Sequence, residues 1–263
     1  MENRVKRFID EYGLMSADDK IFVAVSGGKD STVLLHILNK FFKVEAITID
    51  AGVPKYSRIN LDNIRKFCSE RDVPLHVFSL KNLMGESLAS ICKRTGQNYC
   101  TACGIIKRYY LNLKAKELGA TVIATGHNMD DTAQSFLMNL FRNQVELNAR
   151  IGPVSGARKQ KGFVRKVKPL FLVSEAEIKE YSKGFPIHYG KCPYSRTAYR
   201  NTLRDILWDY EEKHPGTIKR IVKGYLKMLP KFQEHYKGKV GVCEVCGEPS
   251  NSSVCARCKL ALS

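Results

Sequence analysis

A short apolar run, Ile21-Phe22-Val23-Ala24-Val25, opens directly onto Ser26-Gly27-Gly28-Lys29-Asp30-Ser31 and then onto Val33-Leu34-Leu35-His36-Ile37-Leu38. That order reads as a buried strand, a tight turn and a helix. Two adjacent glycines let the backbone approach a ligand closely, and the helix beyond them presents unpaired N–H groups to an anion. Phosphate is the natural guest. The Walker form needs Gly-Lys-Ser/Thr at the close of a longer loop, and here Lys29 is followed by Asp30, so that reading fails. The plain alternative is a glycine-rich turn in which Asp30 or Ser31 caps the helix.

The surrounding pattern supplies the context. A helix is expected over residues 1–20, with Val5, Phe8, Ile9 and Tyr12 on one face. Apolar strands are expected over 44–50, 74–80 and 122–125. Helices are expected from a Ser57 cap (with Leu61, Ile64, Phe67 and Cys68 inward), over 85–94, over 101–118, and after Gly126-His127-Asn128-Met129-Asp130-Asp131 as far as Phe141. Repeated strand–helix alternation argues for an α/β fold, a parallel sheet with helices on both faces. Ligands of such sheets sit at the carboxyl ends of the strands. Three stretches fall there and should converge: Ser26 to Ser31, Asp50-Ala51, and Gly126 to Asp131.

At 263 residues the chain can bury a full core and still carry a small appendage. No stretch is apolar enough to span a bilayer, and residues 1–20 lack the apolar centre of a signal peptide, so a cytoplasmic protein without a membrane partner is expected. The net charge of +17 favours a polyanionic partner. Its distribution points the same way. Between Arg150 and Lys168 there are seven basic residues (Arg150, Arg158, Lys159, Lys161, Arg165, Lys166, Lys168) and no acidic one, in a glycine-rich loop expected to contact a phosphate backbone. Beyond a helix over 174–183, residues 195–240 read as two helices. Tyr199, Leu203, Ile206, Leu207 and Tyr210 form the core face of one; Ile218, Ile221, Val222, Tyr225 and Leu229 form that of the other. Arg196, Arg200 and Arg204 line one side of the first, and Lys219, Lys223 and Lys227 one side of the second. Two basic stripes without a base-reading module suit a folded RNA recognised by shape.

Nine cysteines in such a chain point to metal or redox chemistry. Cys243-x2-Cys246, eight residues and Cys255-x2-Cys258 match the paired thiolates of tetrahedral zinc, with Gly247 allowing the knuckle turn. Cys100-x2-Cys103 lies at an expected helix N-terminus, where thiol pKa values fall. Cys192, in a Cys-Pro-Tyr turn, is the better third member, because Cys92 sits beside Ile91 on an amphipathic helix. Three thiolates can hold a [4Fe–4S] cluster with one iron open, or a CxxC pair and a distant cysteine can carry and resolve a persulfide. Spacing leaves both open.

With these features in order, the chain resembles the TtcA/TtuA family of tRNA 2-thiolation enzymes, which are PP-loop ATP pyrophosphatases (an adenine-nucleotide alpha-hydrolase-like fold). It is most similar to the branch of TtuA and the archaeal and eukaryotic wobble-uridine thiolases. The likeness is carried by the SGGxDS loop, Cys100-Thr101-Ala102-Cys103-Gly104 with Lys107, Ala124-Thr125-Gly126-His127-Asn128-Met129-Asp130-Asp131, Ala149-Arg150-Ile151-Gly152-Pro153 and Val167-Lys168-Pro169-Leu170. That branch usually opens with a zinc finger, whereas no cysteine here precedes Cys68.

The resemblance implies an ATP site of Ala24, Val25, Ser26, Gly27, Gly28, Lys29, Asp30, Ser31, Asp50, Ala51 and Gly126, with Lys107 and Asp131 catalytic. It implies iron–sulfur ligands Cys100, Cys103 and Cys192, the last also catalytic, and zinc on Cys243, Cys246, Cys255 and Cys258. Arg150, Arg158, Lys159, Arg196, Arg200, Arg204, Lys219 and Lys223 are the expected tRNA contacts. Adenylation of a uridine C2 oxygen with ATP and Mg²⁺ would precede sulfur transfer, Asp131 holding Mg²⁺ or orienting the base. A ubiquitin-like thiocarboxylate protein or free sulfide would supply the sulfur, and homodimers are common in the family that the chain resembles, although the sequence itself does not give the oligomeric state. The division expected is a catalytic domain over 1–195, a basic helical tRNA-contacting segment over 196–240 and a zinc finger over 241–263. Cluster-free persulfide chemistry, 2-thiocytidine synthesis, another AMP-forming PP-loop ligase and a zinc-containing RNA-binding protein with a vestigial nucleotide site are the alternatives.

Overall fold

The first strand is central in its sheet, paired with parallel strands on both sides, and helices on the two faces bury its side chains. The computed structural model describes residues 1–155, 163–195, 199–236 and 241–262. In its first half the chain runs α1 (Glu2–Glu11), β1 (Ile21–Ala24), α2 (Lys29–Phe41), β2 (Val44–Asp50), α3 (Tyr56–Ser69), β3 (Leu75–Ser79), α4 (Leu80–Met84) and α5 (Leu88–Thr95). There follow α6 (Tyr99–Glu117), β4 (Val122–Thr125), α7 (Met129–Phe141), β5 (Val154–Ser155), β6 (Arg165–Val167) and α8 (Glu175–Tyr181). The last third holds α9 (Tyr199–Lys213), α10 (Thr217–His235), the β7–β8 hairpin (Gly241–Val242 and Pro249–Ser250) and α11 (Ala256–Leu262).

The main sheet has the order β3-β2-β1-β4-β6-β5, parallel except for β5. Ile21 pairs with Val44 on one side and Val122 on the other, so β1 and β4 end level while β2 runs on to Asp50 beside the loop that follows β1. Alternate residues serve alternate faces. Val23, Ala46 and Ala124 pack with the apolar sides of α1, α2 and α8, whereas Phe22, Ile47 and Ile123 pack against Ala115 of α6. Helices therefore cover both faces, as the alternation predicts. No helix among the described residues is long and apolar enough to cross a membrane.

The structure corrects several expectations. The segment 150–168, expected to be largely loop, carries β5 and β6, which are too short to show a period. Of its basic residues, Lys168 is buried, and Arg165 pairs with Asp19 at 3.1 Å; Arg158, Lys159 and Lys161 lie outside the described residues. Ser57 does not cap α3 but sits inside it, its Oγ accepting from Val53 N at 2.9 Å. The core face of α9 is narrower than its apolar residues imply: Leu203 and Leu207 are buried, whereas Tyr199, Ile206 and Tyr210 are exposed.

Candidate active site

The loop after β1 is shaped by its own serines and by a glycine that no other residue can replace. Gly27 adopts φ +78°, and a Cβ there would lie 2.5 Å from the carbonyl oxygen of Asn60. Ser31 Oγ accepts from Ser26 N at 3.1 Å and donates to Gly28 O at 3.1 Å, closing the turn onto the start of α2. Gly28, not Asp30 or Ser31, is the N-cap, so the first N–H groups of α2 have no side-chain cap of their own. Gly126 at the end of β4 presses on this loop: a Cβ would approach Ser31 N to 2.8 Å. Gly126→Ala should therefore displace the loop backbone and weaken ATP binding or turnover by about 10²-fold, as small misplacements of a reacting group do. Nucleotide titration and turnover of the variant, with a melting curve as the folding control, check this.

Two groups of charged residues flank the loop. On one side Lys29 reaches Asp30 at 3.0 Å and Glu175 at 2.8 Å, while Asp30 accepts from Asn128 Nδ2 at 2.9 Å. Burial opposes the charge on Lys29, but Asp30 and Glu175 outweigh it and hold the ammonium above its usual range. Lys29 is thus turned onto carboxylates, facing a groove of about 780 Å³ that Trp208 and Arg204 also line. On the other side, a capping box joins Asn128 and Asp131. Asp131 Oδ1 accepts from Arg200 at 3.1 Å, and Arg200 also donates to Ser135 Oγ at 2.9 Å. Lys168 donates to Ile151 O at 2.5 Å, and burial, opposed by Asp131 and reinforced by Arg200, depresses it to about 8.

Lys107, Ser26, Asp50, Ala51, Tyr56 and Asn60 line a narrow cavity of about 40 Å³ beside the loop. Asn60 spends its Nδ2 on Tyr56 O at 2.8 Å, whereas its buried Oδ1 has no partner among the described residues. A buried acceptor left unpaired costs about 1–3 kcal/mol. A single amine or hydroxyl of a nucleotide seated over this cavity would satisfy it, which is the fit these residues offer to ATP. No hydrogen bond joins Lys107 to Asp131 among the described residues; they stand on different walls.

Asn98 caps α6 through Thr101 N at 2.8 Å, which brings Cys100, Cys103 and Lys107 onto one face at i, i+3 and i+7. The turn carrying Cys192 is fastened to the same helix end. Tyr194 stacks on Tyr99 with ring centroids 4.0 Å apart, and Cys100 Sγ lies 3.5 Å from Tyr194 O. Burial and the neighbouring thiols raise Cys100, and burial raises Cys103 despite Lys107. The fall expected at a helix N-terminus is therefore overridden by desolvation. Tyr56 packs against the same apolar cluster as Cys103 and Cys192 and also walls the nucleotide cavity, so it links the two halves of the site. Three thiols presented together, with Cys92 buried among apolar residues behind them, fit a cluster held by three protein ligands.

The Cys243, Cys246, Cys255 and Cys258 sulfurs lie within 4.8 Å of one another. Gly247 turns at φ +70°, and the amides of Cys255 and Cys258 point at the sulfurs of Cys243 (3.2 Å) and Cys255 (3.4 Å). Four convergent thiols with amide donors fit a structural zinc ion. The knuckle docks on α6: Arg257 lies over Tyr109 at 5.1 Å and donates to Tyr110 Oη at 2.6 Å. Because metal binding supplies the folding energy of so small a unit, chelation should release zinc and expose 241–262 to protease while the sheet domain stays folded. Zinc release with a colorimetric chelator and limited proteolysis read this out.

The sequence profile of the PP-loop domain matches residues 1–210. Over 262 residues the chain is 37% identical to the tRNA-5-methyluridine(54) 2-sulfurtransferase of Pyrococcus horikoshii, covering 98% of this chain and 83% of that protein. It is 32% identical over 285 residues to the tRNA 2-thiolation protein NcsA of Haloferax volcanii, covering 99% and 89%. The solved U34-tRNA thiolase NcsA from Methanococcus maripaludis, described with its [4Fe–4S] cluster, superposes with a TM-score of 0.85 at 30% identity, over 99% of this chain and 86% of that one. The chain belongs to the PP-loop tRNA 2-thiolation family.

Against the arrangement of this PP-loop protein, the expected site residues divide. The loop, Asp50-Ala51, Gly126 and Lys107 gather at the strand ends, and the three cysteines stand beside them. Two of the expected tRNA contacts face the site. Arg200 binds Asp131, and Arg204 lies over Trp208 at 5.0 Å on the groove wall. Arg150, Lys219 and Lys223 are exposed, and Arg158, Lys159 and Arg196 lie outside the described residues. Sequence reading missed Glu175, Asn60 and Tyr56, and placed Lys168 on an RNA surface. The Val-Lys-Pro-Leu stretch was the available signal for Lys168, because a lysine at a strand end in this fold faces the ligand side.

Proposed function

We propose that this chain is a tRNA 2-thiouridine synthetase, which adenylates a uridine C2 oxygen and then replaces that oxygen by sulfur. The observation that carries this reading is the junction at Tyr56, where the nucleotide cavity with Lys107 meets Cys103 and Cys192. A uridine C2 carbonyl is a weak electrophile whose oxygen leaves poorly. Attack of that oxygen on the α-phosphorus of ATP breaks the bond to the β-phosphate, releases pyrophosphate and leaves the oxygen as part of an AMP ester. Loop N–H groups, Lys107 and Lys168 stabilise charge growing on the phosphates, and Mg²⁺ accompanies the ATP. Asn60 and Tyr56 hold the nucleotide, while Arg200 orients Asp131. When bound by Cys100, Cys103 and Cys192, a [4Fe–4S] cluster supplies an iron without a protein ligand at which sulfur is presented. Addition of that sulfur at C2 expels AMP with the original oxygen.

The expected division follows the same reading. Residues 1–195 would activate the base, 196–240 would hold tRNA through the exposed Lys219 and Lys223, and 241–263 would brace α6. Sulfur would come from a ubiquitin-like thiocarboxylate or free sulfide, in the cytoplasm. Anaerobic reconstitution with ATP, tRNA and labelled sulfide tests the chemistry. AMP and thiolated tRNA should form in equal amounts, and Lys107→Ala should lose both. Thiolation without AMP formation would reject the proposal, and full activity in iron-free protein would remove the cluster from the reaction and leave sulfide to add at C2 directly.

A further inference from the structure

A second cavity, of about 300 Å³, opens where the knuckle meets α6 and β6. Ile105, Arg108, Tyr109 and Asn112 present one face of α6 to it, distinct from the face that bears Lys107. Cys255 also lines it, and Arg108 stands beside Cys103, but the carboxylates and cations around it are unevenly paired. Glu248 is taken by Lys116, and Arg257 is taken by Tyr110. Arg108 and Lys166, which also line it, have no hydrogen-bond or carboxylate partner among the described residues.

Arg108 also has its position made for it. Gly104, one turn earlier, carries no side chain, and a Cβ there would lie 3.2 Å from a guanidinium nitrogen of Arg108. Burial, and then Arg108 itself, depress Lys166 to about 8. Two unpaired cations turned into one concavity repel each other, and an anion between them removes that cost. A planar guanidinium fork beside an ammonium suits phosphate oxygens.

We propose that this cavity is a phosphate-binding site, filled by a backbone phosphate of the RNA strand. The RNA source rests on the function proposed above; the site itself does not. Lys166→Gln, Arg108→Gln and the double variant are compared with the wild-type protein in two titrations. The first is tRNA binding by fluorescence anisotropy from low to high NaCl. The double variant should bind about tenfold more weakly at low salt, with a slope of log K against log[NaCl] shallower by about one. The second is inorganic phosphate alone, followed by calorimetry, which should bind wild-type protein and not the double variant.

Phosphate binding lost in the variant while tRNA binding is unchanged would keep the site and reassign it to the free ion. Wild-type protein that fails to bind tRNA would overturn the function proposed above, and the phosphate titration would then decide the site. Unchanged behaviour in both titrations, at unchanged zinc content, would overturn the proposal. Lys166→Gln alone removes a desolvated charge and should fold at least as well as wild type, so the comparison survives a poorly folding double variant.

Discussion

Cys192→Ser is expected to reduce tRNA thiolation to below about 1% of wild type, since loss of one member of a group acting as a unit costs on the order of 10³-fold or more. The loss should be selective. Cys192 opens a turn whose shape is set by backbone and hydroxyl contacts: its carbonyl accepts from Ser195 N at 3.0 Å and Ser195 Oγ at 2.7 Å. The stack of Tyr194 on Tyr99 holds the turn on α6 independently of the sulfur. The variant should therefore melt within about 2 °C of wild type, as a surface change below 0.5 kcal/mol does. It should still bind ATP at the loop, and lose the iron and brown colour of protein prepared without oxygen. Iron analysis, absorbance and thionucleoside yield on one preparation separate these effects. Retained thiolation would remove Cys192 from the site.

Lys168→Met should have opposite effects on stability and activity. Lys168 is 9% exposed, and its folded-state pKa of about 8 lies below the ordinary 10.5, so the native protein carries a charge that burial disfavours. Shifts of this size correspond to about 3 kcal/mol, some of which methionine recovers by keeping the volume without the charge. A melting temperature higher by about 5 °C is expected. Activity should fall by about 10²-fold, as for removal of one charge-stabilising donor. The pH dependence follows from the same depression. Below pH 8 the penalty in wild type is full; between 8 and 10.5 the unfolded chain retains a proton that the folded chain has lost, so stability rises with pH. The variant should lack that rise. Equilibrium melts from pH 7 to 10 read it directly, and a destabilised variant would show that Lys168 holds the fold together instead of waiting for phosphate.

Much of this was legible where chemistry fixes local spacing. The Ser-Gly-Gly turn, the buried strands and the zinc knuckle each depend on residues a few positions apart. What stayed hidden depends on which way a helix face turns. Arg200 and Arg204 recur with Arg196 at every fourth residue, yet periodicity cannot say whether that side meets solvent or Asp131. For the same reason Tyr199, Ile206 and Tyr210 read as core and lie exposed, since α9 is covered only along its Leu203–Leu207 line. Strands β5 and β6 escaped because two and three residues are too few to show alternation. The thiol shifts at Cys100 and Cys103 were misread because a helix N-terminus is visible in sequence and burial is not.

The central claim, that the loop and the three cysteines form one tRNA-thiolating site, is tested most directly by mass spectrometry of tRNA nucleosides. The tRNA would come from cells lacking this gene and from the same cells carrying it in wild-type, Asp30→Ala or Cys192→Ser form. A 2-thiouridine, mapped to its position, should disappear on deletion, return with wild type and stay absent with either variant. An unchanged set of thionucleosides on deletion, or rescue by either variant, would contradict it.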